Sequence, residues 1–228
     1  MAQQIQIDLT EMLYGGNALG KHDGRAVFVT GGLPGEQVIA TITDDRGRYA
    51  FAVVDEIISP SPQRITPRCP YFRAGTCGGC QWQHIDYAAQ LDYKTGIVRE
   101  QFRRIGKFAD IPLRPIIASP DEWFYRTHVT FHSAPTGELG FVAPDNRTVT
   151  PIDDCTIIRP ELLAMRDAIT TPARRVRCMV GTDANERVIS ASDDASPSAA
   201  DNADDESIAT ATTPDKVTFV IHGETFHV

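Results

Sequence analysis

The chain has 228 residues, 42% of them hydrophobic and 23% charged, with 22 basic and 30 acidic side chains and a formal net charge of −8. That is the make-up of a soluble globular protein with one large domain or two modest ones. The opening Met1-Ala2-Gln3-Gln4 lacks a secretory pattern and no run approaches bilayer length, so a cytoplasmic chain with no membrane partner is expected.

The charge is unevenly spread. Residues 181–228 hold 2 basic and 10 acidic side chains, against 14 and 12 in residues 69–180. Much of the acidity falls in Ser192 to Asp215, almost free of large apolar residues and expected to be a disordered insert. Without it the body is nearly neutral with local basic surface, which permits polyanion binding without showing it.

From the N-terminus, Ile5, Ile7 and Leu9 alternate with polar residues, and Ala26-Val29, Val38-Ile42 and Tyr49-Val54 form further β-rich runs. Gly15-Gly16, His22-Asp23-Gly24, Gly31 to Gly35 and Asp44 to Gly47 punctuate them. Residues 1–62 therefore read as a small closed β-barrel of the OB type, an architecture that often binds oligonucleotides. Its glycine turns match neither the Walker nor the dinucleotide pattern.

A cysteine loop follows. Cys69, Cys77 and Cys80 crowd one short segment, and Cys155 comes 75 residues after Cys80. Three clustered thiols and a distant fourth suit an iron–sulfur cluster. Glycines let such a loop bend and bring N–H groups near sulfur. Pro70 and Gly78-Gly79 are expected to exclude helix and strand there. Structural zinc is the rival, although zinc ribbons usually show two CxxC knuckles and this chain has one. Disulfides suit neither the odd cysteine count nor the lack of a signal peptide, and a thioredoxin-like pair suits the sequence poorly. Cys178, the fifth cysteine, reads as core on a strand.

Tyr87 to Lys107 reads as a helix whose apolar stripe is Leu91, Val98, Phe102 and Ile105. Arg99, Arg103 and Lys107 recur every four residues with Arg104 beside them, either a solvated face or a phosphate-contacting one. Arg46 and Arg48, at a barrel turn, are further candidate RNA contacts. Strands are expected over Tyr125 to His132, Glu138 to Val142 and Thr148 to Ile152. A helix is expected over Pro160 to Ile169, and a paired Arg174–Val180 and Arg187–Ala191 after it. His128 and His132 read as half-buried packing residues.

Taken together, these elements resemble a known family. Leu33-Pro34-Gly35-Glu36 in an N-terminal barrel looks like a TRAM domain. Cys77-Gly-Gly-Cys80-Gln-Trp-Gln-His84, with Cys69 and Cys155, resembles the iron–sulfur-containing RNA uracil-C5 methyltransferases. Tyr125-Arg126, Gly140-Phe141 and Cys155 followed by Pro160 add to that likeness. The resemblance implies a [4Fe–4S] cluster on Cys69, Cys77, Cys80 and Cys155, and RNA as partner, ribosomal or transfer. It also implies methyl transfer from S-adenosylmethionine to uracil C5, performed in that family by a Rossmann-like domain after the central one. The expected fold is mainly β with α+β. A TRAM-like barrel over 1–62 leads to a cluster-binding central domain over 63–191, an acidic insert over 192–215 and a strand over 216–228 leading toward a catalytic domain.

No S-adenosylmethionine motif, nucleophilic cysteine or base is recognised in these residues, so catalysis by this chain alone is not expected and a monomer is. Two readings of other classes stand beside it: a free-standing RNA-binding module with a structural iron–sulfur or zinc site, and a small electron-transfer or redox-sensing protein.

Overall fold

Apolar–polar alternation closes the first sixty residues into a barrel. In the computed structural model, which describes residues 3–73, 75–169, 173–181, 187–192, 218–221 and 224–227, five strands complete the circuit. They are β1 (Gln4–Met12), β2 (Asn17–His22), β3 (Arg25–Thr30), β4 (Gln37–Asp45) and β5 (Tyr49–Ser59), in the order β1-β2-β3-β5-β4. All pairings are antiparallel except β3 with β5. Ile5, Ile7, Leu9, Val27, Val29 and Val38 fill the inside, with Ala18, Ala40, Ala50 and Ala52 where space is short. Burying each larger aliphatic side chain stabilises the barrel by about 1.5–3 kcal/mol. The sequence reading lacked β2. Its inward positions are Ala18 and Gly20, too small to signal a strand, and a Cβ on Gly20 would lie 2.6 Å from the Ile7 side chain.

The chain divides into two units, Met1–Arg68 with Cys80–Ser119, and Cys69–Gly79 with Pro120–Val228. After β5 it forms α1 (Pro70–Arg73) in the second unit, then returns to the first for α2 (Tyr87–Arg104). Helix α1 corrects the expectation that Pro70 would exclude helix. Proline suits the first helical position, where its missing N–H has no partner to lose.

Asp86 caps α2 by accepting hydrogen bonds from the N–H groups of Ala88 and Ala89. The helix buries a stripe other than the expected one. Ala89, Tyr93 and Ile97 pack with Met12, Leu33, Trp82 and Ile85, whereas Val98, Phe102 and Ile105 are 42, 45 and 75% exposed. Leu91 is half-buried. Both stripes have helical spacing, and contact with the barrel selects between them. The helix ends at Arg104, so Lys107, at φ +58°, lies beyond it and does not continue the arginine row.

The second unit is an antiparallel sheet. Strands β6 (His128–Ser133), β7 (Leu139–Val142), β8 (Val149–Pro151), β9 (Arg175–Val180) and β10 (Arg187–Ser192) lie in the order β10-β9-β6-β7-β8. Helix α3 (Pro160–Asp167) packs Leu162 and Met165 onto β6 and β9. Val129, Phe131, Val176, Cys178 and Val180 form the buried face, and Phe131 stacks on Phe141 at 5.4 Å. Cys178 is the core residue expected, its thiol pushed up to about 11 by burial. His132 is half-buried, with its pKa lowered by burial and by Arg175, but His128 is exposed, contrary to expectation. Strand β6 starts three residues later than expected, because Arg126 instead forms a bridge with Ile158. Near the C-terminus, β11 (Thr218–Ile221) pairs antiparallel with β12 (Glu224–His227), two strands where one was expected. The acidic insert, apart from Ser192, lies outside the described residues. No helix of the described residues is long and apolar enough to cross a membrane.

Two glycines should respond oppositely to a methyl group. Gly96 is exposed within α2 and an added Cβ would touch nothing, so Gly96→Ala should stabilise the chain by about 1 kcal/mol. At Gly140, in β7, an added Cβ would run into the Thr150 carbonyl, so Gly140→Ala should destabilise by about 3 kcal/mol. Urea unfolding of the two variants gives the signs.

Candidate functional site

The cysteine loop is fastened at three places within its own unit. Tyr71 Oη accepts the N–H of Asp153 at 2.8 Å and donates to its carboxylate at 3.3 Å. Thr150 Oγ1 donates to the Thr76 carbonyl at 2.6 Å. The Gly78 N–H donates to the Val142 carbonyl at 3.0 Å. A Cβ on Gly78 would lie 2.9 Å from that same carbonyl oxygen, so this glycine is there for close backbone approach. These bonds tie Tyr71, Thr76 and Gly78 to β7, β8 and the segment entering Cys155.

The result is an electrostatically coupled set of thiols. Cys69 is buried and Cys77 and Cys155 half-buried. Burial pushes the Cys77 thiol up, an N–H of Gly79 at 3.4 Å draws it partly back, and Cys69 raises it again. Cys155 is raised by burial, lowered by the N–H groups of Ile157 and Ile158, and raised by Cys69 and Cys77. The thiols of Cys77 and Cys155, both raised chiefly by burial, would become thiolates more readily beside a positive centre. Cys80 follows Cys77 by three residues and belongs to the first unit, where the Gln83 amide donates to its sulfur at 3.3 Å. Amide donors on sulfur are the surroundings that iron–sulfur ligands use. Among the described residues, no three His, Cys, Asp or Glu side chains converge closely enough to hold a single metal ion.

Sequence reasoning missed the polar centre of the first unit. Glu36, the last residue of the Leu-Pro-Gly-Glu turn, has a fully buried side chain. Its carboxylate accepts from the N–H groups of Leu33 at 2.9 Å and Ser61 at 3.1 Å, and from Arg64 at 2.6 and 2.8 Å. Arg64 donates further to the Gly31 carbonyl at 2.7 Å. Burial raises the Glu36 pKa, but the bonds from Arg64, Ser61 and Leu33 and the arginine charge outweigh it, so it lies below its ordinary value. His84, beside this pair, is lowered to about 4 by burial and by Arg64, and stays neutral. The only sequence signal was a lone Glu closing a turn, with nothing to mark Arg64 as its partner.

The candidate RNA contacts stand in different states. Arg103 pairs with Glu100 at 2.6 Å and Arg104 reaches the same carboxylate at 3.8 Å, while Arg46 pairs with Asp44 at 2.8 Å. Arg48, Arg99 and Lys107 are exposed, and among the described residues no ion pair holds them.

The polar centre makes the first unit acid-sensitive. His84 has a depressed folded pKa, so between pH 6.5 and about 4 the unfolded chain binds the proton that the folded chain refuses. Stability should fall by up to about 3 kcal/mol as pH drops through that window, and Glu36 adds to the loss further down. His132 loses stability in the same direction. In a Trp123→Phe background, where Trp82 reports the first unit, His84→Asn should flatten the fall in unfolding midpoint between pH 6.5 and 4. An unchanged slope removes His84 from the account.

Residues 3–54, the barrel as far as Val54 in β5, match the TRAM domain. An uncharacterized RNA methyltransferase of Gloeobacter violaceus is 35% identical over 181 residues, covering 74% of this chain and 38% of its own length. A 23S rRNA (uracil(1939)-C(5))-methyltransferase, RlmD, of Alkalilimnicola ehrlichii is 34% identical over 166 residues, 70% of this chain and 36% of that protein. The crystal structure of Pyrococcus abyssi tRNA (uracil-54, C5)-methyltransferase with S-adenosyl-L-homocysteine shares the fold. It superposes with a TM-score of 0.52 at 19% identity, over 81% of this chain and 45% of that one. The chain spans a little over a third of the length of these curated relatives. It thus carries a TRAM domain and is homologous, over most of its own length, to RNA methyltransferases.

Proposed function

We propose that these residues are the RNA-recognition and cluster-bearing part of an S-adenosylmethionine-dependent methyltransferase that forms 5-methyluridine in ribosomal or transfer RNA. The observation that carries this reading is the fastened cysteine loop in a chain that also holds a TRAM barrel. Cys69, Cys77, Cys80 and Cys155 would hold a [4Fe–4S] cluster, which supplies four irons for four thiolates and clamps the loop to the sheet. A structural zinc would instead need four ligands on one ion, its sulfurs about 2.3 Å from the metal. One CxxC knuckle where zinc ribbons usually have two, and amide donors on the sulfurs of Cys77 and Cys80, favour the cluster.

The described residues bind and orient RNA in this reading. The barrel and the exposed Arg48, Arg99 and Lys107 meet phosphates, with Arg46, Arg103 and Arg104 contributing through charges already shared with carboxylates. S-adenosylmethionine would supply the methyl group, and no residue here is assigned to hold it or to perform the transfer. The working protein is a cytoplasmic monomer.

Anaerobic purification followed by iron, sulfide and zinc analysis tests the centre. The cluster predicts a brown protein with about four irons and four sulfides per chain, lost in Cys155→Ser. A colourless protein with one zinc replaces the cluster by a zinc-stapled RNA-binding module.

A further inference from the structure

The outer face of the barrel carries an aromatic cluster that its core does not require. Val27, Val29, Ala50 and Ala52 point inward, so Phe28, Tyr49 and Phe51 point outward from β3 and β5. The pairing register sets Leu19, Phe28 and Phe51 side by side across β2, β3 and β5. Phe28 and Phe51 lie 5.2 Å apart at 30°, and Tyr49 meets their edges at 5.7 and 5.8 Å, near perpendicular. Tyr49 is 39% exposed and Phe28 and Phe51 are half-exposed.

Two cations border the cluster. Lys21 lies in the same cross-strand row as Ala26 and Tyr49, and Arg48 directly precedes Tyr49. Both are exposed, and among the described residues neither has an ion-pair partner. Arg25 and Arg46 nearby are already held by Asp45 and Asp44. The local charge is therefore only slightly positive. Affinity must come chiefly from the rings, with few phosphate contacts.

We propose that Phe28, Tyr49 and Phe51 form a stacking platform for single-stranded RNA, taking two or so unpaired bases while Lys21 and Arg48 hold the adjoining phosphates. This rests on the RNA-binding reading above and names the surface that carries it. Half-exposed rings on a sheet suit unstacked bases, which every sequence offers, whereas a duplex keeps its base faces covered. The two unpaired cations at one border supply the charge complementarity that a purely apolar protein partner would not need.

Fluorescence anisotropy of the full chain with a single-stranded decaribonucleotide, over a salt series, tests the proposal. A Phe28→Leu/Phe51→Leu double variant should bind at least about tenfold more weakly with an unchanged salt slope. Lys21→Gln/Arg48→Gln should reduce that slope by roughly 1.4, the share of two phosphates on a single strand. A 2-aminopurine placed within the decamer should be quenched by stacking on the wild-type chain, which keeps the test valid if the ring variant fails to fold. RNA binding without quenching, or with affinity unchanged in the folded ring variant, overturns the platform and leaves RNA binding standing. No binding by the wild type at any salt overturns the RNA reading itself, and the platform with it. Self-association that disappears in the ring variant assigns the rings to a protein contact and also overturns the proposal.

Discussion

The first unit depends on a buried carboxylate. Glu36 has no solvent, and an unpaired charge there would cost several kcal/mol. Its partners decide where three separate stretches of chain must lie. Leu33 fixes the turn, Ser61 and Arg64 fix the exit from β5, and Arg64 in turn bridges to Ile85, ahead of α2. The apolar contacts of Met12, Leu33, Ile85 and Ala89 then complete what the ion pair has registered. Hydrophobic burial contributes more to stability, but it is not directional. The carboxylate supplies the direction.

In the second unit the same task falls to hydrogen bonds of hydroxyl and backbone groups. Tyr71, Thr76 and Gly78 each engage a different part of the β7–β8 region, so Cys69 and Cys77 are delivered to the neighbourhood of Cys155 by the protein's own bonding. It buries no ion pair, and it leaves the Cys77 sulfur facing the N–H of Gly79 and the Cys155 sulfur facing those of Ile157 and Ile158.

Most of the strands were legible because one of their faces is buried, and alternation reports that directly: Ile5, Ile7 and Leu9 need no partner to be read. β2 was not, because its inward Ala18 and Gly20 are chosen for the bulk of Ile7 opposite, a tertiary fact. The helix 87–104 was legible in kind but not in orientation. Two stripes with helical period lie on it, and only packing against Met12 and Leu33 says which is buried. The four cysteines stood out by spacing, whereas Glu36, Arg64 and Tyr71 work through partners 28 and 82 residues distant, invisible to any local pattern. The arginine row on α2 looked uniform in sequence. Glu100 takes Arg103 and Arg104 from that row, while among the described residues no ion pair holds Arg99.

The chain leaves the first unit at Arg68, contributes eleven residues to the second, and re-enters at Cys80. During synthesis the barrel strands emerge first, but the segment bearing Ile85 and α2 arrives only after Cys69 and Cys77 have already passed. Those two thiols must then wait, unfastened, until the ribosome has made β7, β8 and Cys155. Until residue 155 has been made, the loop that carries Cys69 and Cys77 lacks the hydrogen bonds that Val142, Thr150 and Asp153 later supply to it.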